Sequence, residues 1–201
     1  MRVLPYGPWA MLVEFDDLDE VIAASTAWRA ASLPGVVDIV PAERTVLVEH
    51  DGPLDPAALA APRRPVGSTP RRHGGGNVIE IPVTYDGVDL EEVADAVGLS
   101  PAQVVALHTS AVHRVAFCGF MPGFAYLVDG PTELSLPRRA TPRERVPPGS
   151  VAVAAGYSGV YPRESPGGWH LLGRTDVVLW DEARPVPALL TPGTSVRFVA
   201  R

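Results

Sequence analysis

The sequence predicts an α+β protein: an N-terminal β-α-β-β unit, then a larger domain made mainly of short strands. Three observations carry this. Leu18 to Ala31 places apolar residues at helical spacing between stretches that alternate like strands. Residues 52 to 76 turn rich in proline, glycine and arginine. Beyond Ala111 the helical patterning stops, and short strands alternate with turn signals.

Taken in order, Ala10 to Phe15 reads as a strand, Asp16 or Asp17 as a helix cap, and Leu18 to Ala31 as a helix with Leu18, Val21, Ile22 and Trp28 on its apolar side. Leu33-Pro34-Gly35 ends it. Val36 to Val40 and Thr45 to Glu49 follow as two strands joined by Pro41 to Arg44. Trp28 reads as a core anchor of this unit. We place the N-terminal α/β domain at residues 1–65, a linker at 66–76 and the second domain at 77–201, with a short helical piece at Asp55 to Ala60. His73 to Gly76, HGGG, matches an oxyanion-hole element of esterases. No GxSxG elbow accompanies it, so a linker end is the better reading.

In the second domain Asn77 to Tyr85 alternates like a strand, with Pro82 marking an edge or a bulge. Asp89 to Val97 is a helix with acids in its first turn, stopped by Gly98. Ser100-Pro101 opens a second helix, Ala102 to His108, which sets His108 near a helix C-terminus. There its charged form would favour the negative helix end, or the ring would contact substrate. Val112 to Cys118, Val151 to Ala155, Val177 to Trp180 and Ser195 to Ala200 read as strands. Turns are expected at Pro147 to Gly149, Tyr157 to Gly159 and Pro192-Gly193. Together they suggest a closed barrel or a sandwich.

The charge of −6 argues against a phosphate-backbone grip, so nucleic acid is not an expected partner. No apolar run approaches the roughly 20 residues that span a bilayer, and the N-terminus lacks signal-peptide order; the expected location is cytoplasmic, away from membranes. Cys118 is the single cysteine, which removes internal disulfides and cysteine-rich metal sites; no metal site is expected. Every basic residue is an arginine, so neither a lysine Schiff base nor a P-loop lysine exists in this chain.

Two stretches stand out: Phe117 to Leu127, FCGFMPGFAYL, and Glu164 to Thr175, ESPGGWHLLGRT. Both set aromatic rings among glycines and proline, as suits rigid loops around a ligand. Between them LPRRATPRERVPP holds Arg138, Arg139, Arg143 and Arg145 on a proline-stiffened segment able to offer guanidinium forks to carboxylate or phosphate.

These residues carry a resemblance. GF-x-PGF-x-YL at Gly119 to Leu127, PRR-x-TPR-x-x-VP-x-GSV at Pro137 to Val151, and Tyr161-Pro162 followed by ESPGGW-x-L-x-GRT resemble the KipI family, also called allophanate hydrolase subunit 1 or the B subunit of 5-oxoprolinase. The likeness runs over nearly the whole chain. It departs from the family pattern at the short turn Tyr85-Asp86-Gly87, at Ala125, and at AGYSGVYP, Ala155 to Pro162. The resemblance implies an N-terminal α/β domain and a cyclophilin-like β-barrel. It also implies a chain that works as one subunit of an ATP-dependent 5-oxoprolinase, opening the lactam of 5-oxo-L-proline to L-glutamate. The implied partners are a KipA-type protein, allophanate hydrolase subunit 2, and a third LamB/YcsF-type subunit; ATP, with Mg, is bound in this chain or on a partner. Inhibition of a sensor histidine kinase, or a urea- or allophanate-linked amide hydrolase, are the other activities it implies. In this reading Arg138, Arg143 and Arg174 hold carboxylate or phosphoryl oxygens and His108 assists a proton transfer. Gly119, Phe120, Pro122, Gly123, Phe124, Tyr161, Ser165, Gly167, Gly168 and Trp169 shape the substrate site.

Overall fold

The computed structural model describes residues 1–59 and 78–201. The chain divides into two compact units, 1–72 and 73–201. The 66–76 linker and its HGGG quartet lie outside the described residues.

The first unit is a four-stranded antiparallel sheet carrying one helix. Its strands are β1 (Arg2–Pro5), β2 (Ala10–Glu14), β3 (Val36–Pro41) and β4 (Thr45–His50), in the order β1-β2-β4-β3, with α1 at Leu18–Ala31. The helix has the predicted bounds because both ends are chemically marked. The Asp17 carboxylate accepts the Glu20 amide at 2.9 Å, and Ser32 adopts a left-handed conformation that lets its N–H reach the Arg29 carbonyl. Val21, Ala24 and Trp28 on one side of α1 pack onto Val13, Val46 and Val48 of the sheet and onto Phe15, just after β2. Trp28 is the anchor its sequence context suggested, 6.0 Å from the Phe15 ring. Strand β1 has too few alternating residues to be read in advance; it exists by pairing along β2. The helical piece at 55–60 is a 3-10 turn, Pro56–Leu59.

The second unit is built on a seven-stranded sheet. Its elements are β5 (Ile79–Val83), α2 (Leu90–Val97), α3 (Pro101–Ser110), β6 (His113–Cys118), β7 (Ala125–Val128), β8 (Arg143–Val146), β9 (Ser150–Ala154), β10 (Tyr157–Val160), β11 (Ser165–Gly167), β12 (His170–Arg174) and β13 (Ser195–Ala200). The order is β12-β9-β10-β7-β6-β13-β5, antiparallel except for β13 beside β5. The two ends meet. Thr84, just after β5, exchanges both backbone hydrogen bonds with Arg174 at 2.8 and 2.9 Å, and the Gly87 amide reaches the Leu172 carbonyl. The sheet therefore closes into a barrel rather than a sandwich, leaving few free edges. Ile81, Val83, Val115, Leu127, Val151, Val196 and Phe198 form its core.

Helix α3 starts with a full capping box, in which the Ser100 hydroxyl accepts the Gln103 amide and the Gln103 side chain accepts the Ser100 amide. Leu90, Val93 and Val104 of the two helices pack with Leu134, Val153 and Leu172.

Three expectations are corrected. Val177 to Trp180 forms no strand; only Trp180 makes an isolated bridge, to Ala188. Tyr157 to Gly159 is strand β10, not a turn, and the chain reverses instead at Ala155-Gly156, both with positive φ. Much of the two expected loops is strand, β7 in the first and β11 and β12 in the second. Among the described residues no helix is long and apolar enough to cross a membrane.

Candidate functional site

Period-two alternation along β9 separates two faces. Val151 joins the barrel core, whereas Ala152 and Ala154 face an aromatic cluster. The small side chains on that second face make room for rings. On β10 a Cβ at Gly159 would lie 3.0 Å from Phe124 and 3.1 Å from Trp169, so glycine lets both rings approach the strand closely. Phe124 is the hub: Phe120, Tyr126, Tyr161 and Trp169 all meet it edge-on, with centroids 5.1 to 5.5 Å away. Phe120 holds φ at +66°, a left-handed conformation costly for a bulky residue, and its ring stays exposed at the edge of the cluster.

A two-stranded ribbon of β8 and β11 stands beside this cluster, tied to the preceding loop by the Arg139 amide bonding the Gly168 carbonyl at 2.8 Å. Between them lies a cavity of about 170 Å³. Phe120, Phe124, Tyr126, Tyr161 and Trp169 form its aromatic side; Arg138, Arg139, Pro142 and the backbone of Pro166 to Gly168 form the other. Gly167 is required here, because a Cβ would run into the Tyr161 hydroxyl. Burial raises the pKa of that hydroxyl, opposed by a hydrogen bond at the Trp169 backbone and by the charges of Arg138 and Arg143. It stays protonated and able to donate.

Behind the arginine wall is a buried carboxylate. Asp89 stands at the N-cap position of α2 but its side chain does not cap it. Its Oδ1 accepts from Arg143 Nη2 at 2.6 Å and Arg139 Nη1 at 2.9 Å, and its Oδ2 from Arg143 Nη1 at 2.9 Å and the Leu171 amide at 2.7 Å. Arg143 thus grips Asp89 with both forks. Arg139 also donates to Glu92 at 2.6 Å, and that bond, with the charges of Asp89 and Glu92, raises its pKa. His170 bonds the Pro137 carbonyl through Nε2 at 3.0 Å, pinning the base of the arginine loop to β12.

The structure brings together Phe120, Phe124, Tyr161, Gly167, Gly168, Trp169 and Arg138 of the predicted set. Gly119 and Pro122 are exposed and Ser165 lies on β11, none of them lining the cavity. Gly123 packs on Trp180 and Pro162. Arg143 is held by Asp89. Arg174 lies where the barrel closes, exposed and paired with Asp86 at 2.8 Å.

His108 differs most from expectation. It is fully buried, neither a charged helix cap nor part of the cavity wall. Nδ1 meets the Tyr85 hydroxyl at 2.7 Å, Nε2 meets Ser158 Oγ at 3.2 Å, and the ring stacks on Phe198 at 4.5 Å. Ser158 Oγ also reaches His113 Nε2 at 3.3 Å. Burial, reinforced by neighbouring His113, lowers His108 to about 3; burial lowers His113 to about 4, with Asp129 opposing. Both rings are neutral at pH 7. Sequence reasoning missed Asp89; it named Tyr126 and Arg139 only as part of the aromatic-glycine loop and the arginine segment, and both line the cavity. No local signal marked the Asp89 pairing, because its arginine partners lie 50 and 54 residues further along the chain.

The family model for the carboxyltransferase domain, subdomain C and D, matches residues 1–190. The chain belongs to this family. A protein from Escherichia coli O157:H7, named as the B subunit of 5-oxoprolinase, is 41% identical, covering 96% of this chain and 93% of that one. A protein of the same name from Bacillus subtilis is 31% identical, covering 96% and 90%. The likeness to the KipI family is thereby borne out. Among solved structures, TTHA0988 superposes with a TM-score of 0.77 at 38% identity; this chain is covered to 96% and spans 40% of that protein's length. The conserved uncharacterized protein PH0987 from Pyrococcus horikoshii gives a TM-score of 0.60 at 32% identity, covering 100% of this chain and 97% of that one. The urea amidolyase of K. lactis, at 20% identity and a TM-score of 0.68, shares the fold; the match covers 99% of this chain and 15% of that one.

Proposed function

We propose that this chain is the B-type subunit of an ATP-dependent 5-oxoprolinase, acting with a KipA-type subunit and a LamB/YcsF-type third subunit to open 5-oxo-L-proline to L-glutamate. The observation that carries the reading is the aromatic-arginine cavity, formed by the same motifs that mark the family, in a chain whose relatives, matched over nine-tenths of their length or more, are named as 5-oxoprolinase subunits. An apolar wall facing guanidinium groups suits a small ring bearing a carboxylate. The protonated Tyr161 hydroxyl can donate to a carbonyl oxygen held there. Arg138 orients the substrate, Asp89 fixes Arg139 and Arg143 behind it, and the rings keep water from one side of the site. Among the described residues no group of three or more His, Cys, Asp or Glu side chains is arranged to hold a metal ion.

Purified chain combined with its two partner subunits is expected to form glutamate from 5-oxoproline in an ATP-dependent manner, with no product when this chain is left out. Glutamate formation by the partners alone would remove the function from this chain.

A further inference from the structure

The charges around the cavity are nearly balanced before any ligand enters. Arg138 and Arg139 line the cavity and Arg143 does not; Arg139 and Arg143 are bonded to the carboxylates of Asp89 and Glu92, which leaves the charge of Arg138. Arg139 and Arg143 direct their forks at those carboxylates. Arg138 is exposed, and among the described residues it has no carboxylate partner. One unpaired guanidinium suits one carboxylate, and carboxylate–arginine pairing is the strong kind of polar contact.

Size points the same way. At about 170 Å³ the cavity lies below the roughly 300–1,000 Å³ of pockets that hold drug-sized ligands, so it fits one small ring and not a nucleoside triphosphate. Other described cavities do not supply a triphosphate site either. That of about 430 Å³ beside Arg2 and Arg44 is also lined by Glu14 and Asp16, whose charges oppose a polyanion. That of about 280 Å³ beside α1 offers only Arg29, whose guanidinium bonds the Ile39 carbonyl, with Asp38 alongside. The groove along α3 is lined by Glu133 and no cation. None of these described cavities pairs the volume of a nucleotide pocket with a cationic lining.

Building on the function proposed above, we infer that the cavity is a single-monocarboxylate site, in which Arg138 pairs with the ligand carboxylate while the ligand ring lies against Tyr126, Tyr161 and Trp169, and that the nucleotide is held on another subunit. Arg138 then determines specificity for acid over neutral lactam.

Two measurements test this. Calorimetry on the full chain compares L-5-oxoproline, 2-pyrrolidinone (the same ring without the carboxylate) and a non-hydrolysable Mg-ATP analogue. The acid is expected to bind about tenfold or more tighter than the neutral lactam. Arg138→Ala should erase that preference, Arg138→Lys should restore part of it, and the ATP analogue should neither bind nor compete. In the reconstituted complex, Arg138→Ala should raise KM for 5-oxoproline by about 10- to 100-fold while KM for ATP stays within about twofold. Competition by the ATP analogue overturns the inference, as does an Arg138→Ala variant with unchanged acid preference and unchanged KM. If the wild-type complex makes no glutamate, the oxoprolinase reading fails and calorimetry alone decides the monocarboxylate site. If the complex is active but the isolated chain gives no heat, the KM values decide. Absence of both effects of Arg138→Ala rejects the inference whether or not glutamate forms.

Discussion

Replacing Asp89 by Asn tests whether the arginine wall is held from behind. The Asp89 side chain is 2% exposed and its two oxygens accept four hydrogen bonds, three of them from guanidinium groups. The substituted amide keeps one oxygen, enough for the Leu171 amide, but turns an NH2 toward the Arg143 fork, donor against donor. Breaking one partner of a buried ion pair costs about 3–5 kcal/mol. Water reaches the Arg139 and Arg143 side chains, each 25% exposed, so the lower end, about 3 kcal/mol, applies. For a chain of this length that corresponds to a melting temperature lower by about 6–12 °C. Urea unfolding followed by circular dichroism measures the free energy, and calorimetry with 5-oxoproline reads the effect on the cavity. A loss below about 1 kcal/mol with unchanged ligand affinity would refute the claim that Asp89 organises the wall.

Acid should destabilise the barrel through its two buried histidines. Their folded pKa values, about 3 and about 4, lie below the ordinary 6.5, so the unfolded chain takes up protons the native state cannot; stability is complete above about pH 6.5 and falls as pH drops toward 4 and 3. Each ring contributes about 1.4 kcal/mol of loss between pH 7.5 and 5.5, hence about 3 kcal/mol for the pair, and urea midpoints that do not move across that interval contradict the assignment. Gly167→Ala pushes a methyl into the Tyr161 hydroxyl and should cost about 1–3 kcal/mol along with ligand affinity; wild-type stability and binding would show that the contact relaxes freely. Arg174→Ala removes an exposed pair with Asp86 and should leave both the melting temperature and KM for 5-oxoproline unchanged, whereas a raised KM would return Arg174 to the site.

Local chemistry was legible in the sequence and long-range pairing was not. Helix α1 was readable to the residue because an aspartate opens it and Leu33-Pro34-Gly35 follows its end, and α3 was readable to within two residues because Ser100-Pro101 marks its start. Strand β10 was misread because Gly159 resembles a turn residue, yet its purpose is to clear space for Phe124 and Trp169 from elsewhere in the chain. The aromatic half of the cavity was visible as a glycine-aromatic motif. The role of Asp89 was not, since its partners are 50 and 54 residues away and its place at a helix start has a sufficient local explanation. His108 failed for the same reason. Its helix-terminal position suggested a charged group, but Tyr85, Ser158 and Phe198 converge on it only in the closed barrel.

The position of bound 5-oxoproline in a crystal structure of the assembled subunits tests the central claim most directly. The account predicts the lactam ring against Tyr126, Tyr161 and Trp169, with its carboxylate about 2.7–2.9 Å from the Arg138 guanidinium and the nucleotide on a different subunit. A lactam bound away from these residues, or a nucleotide in this cavity, would contradict it.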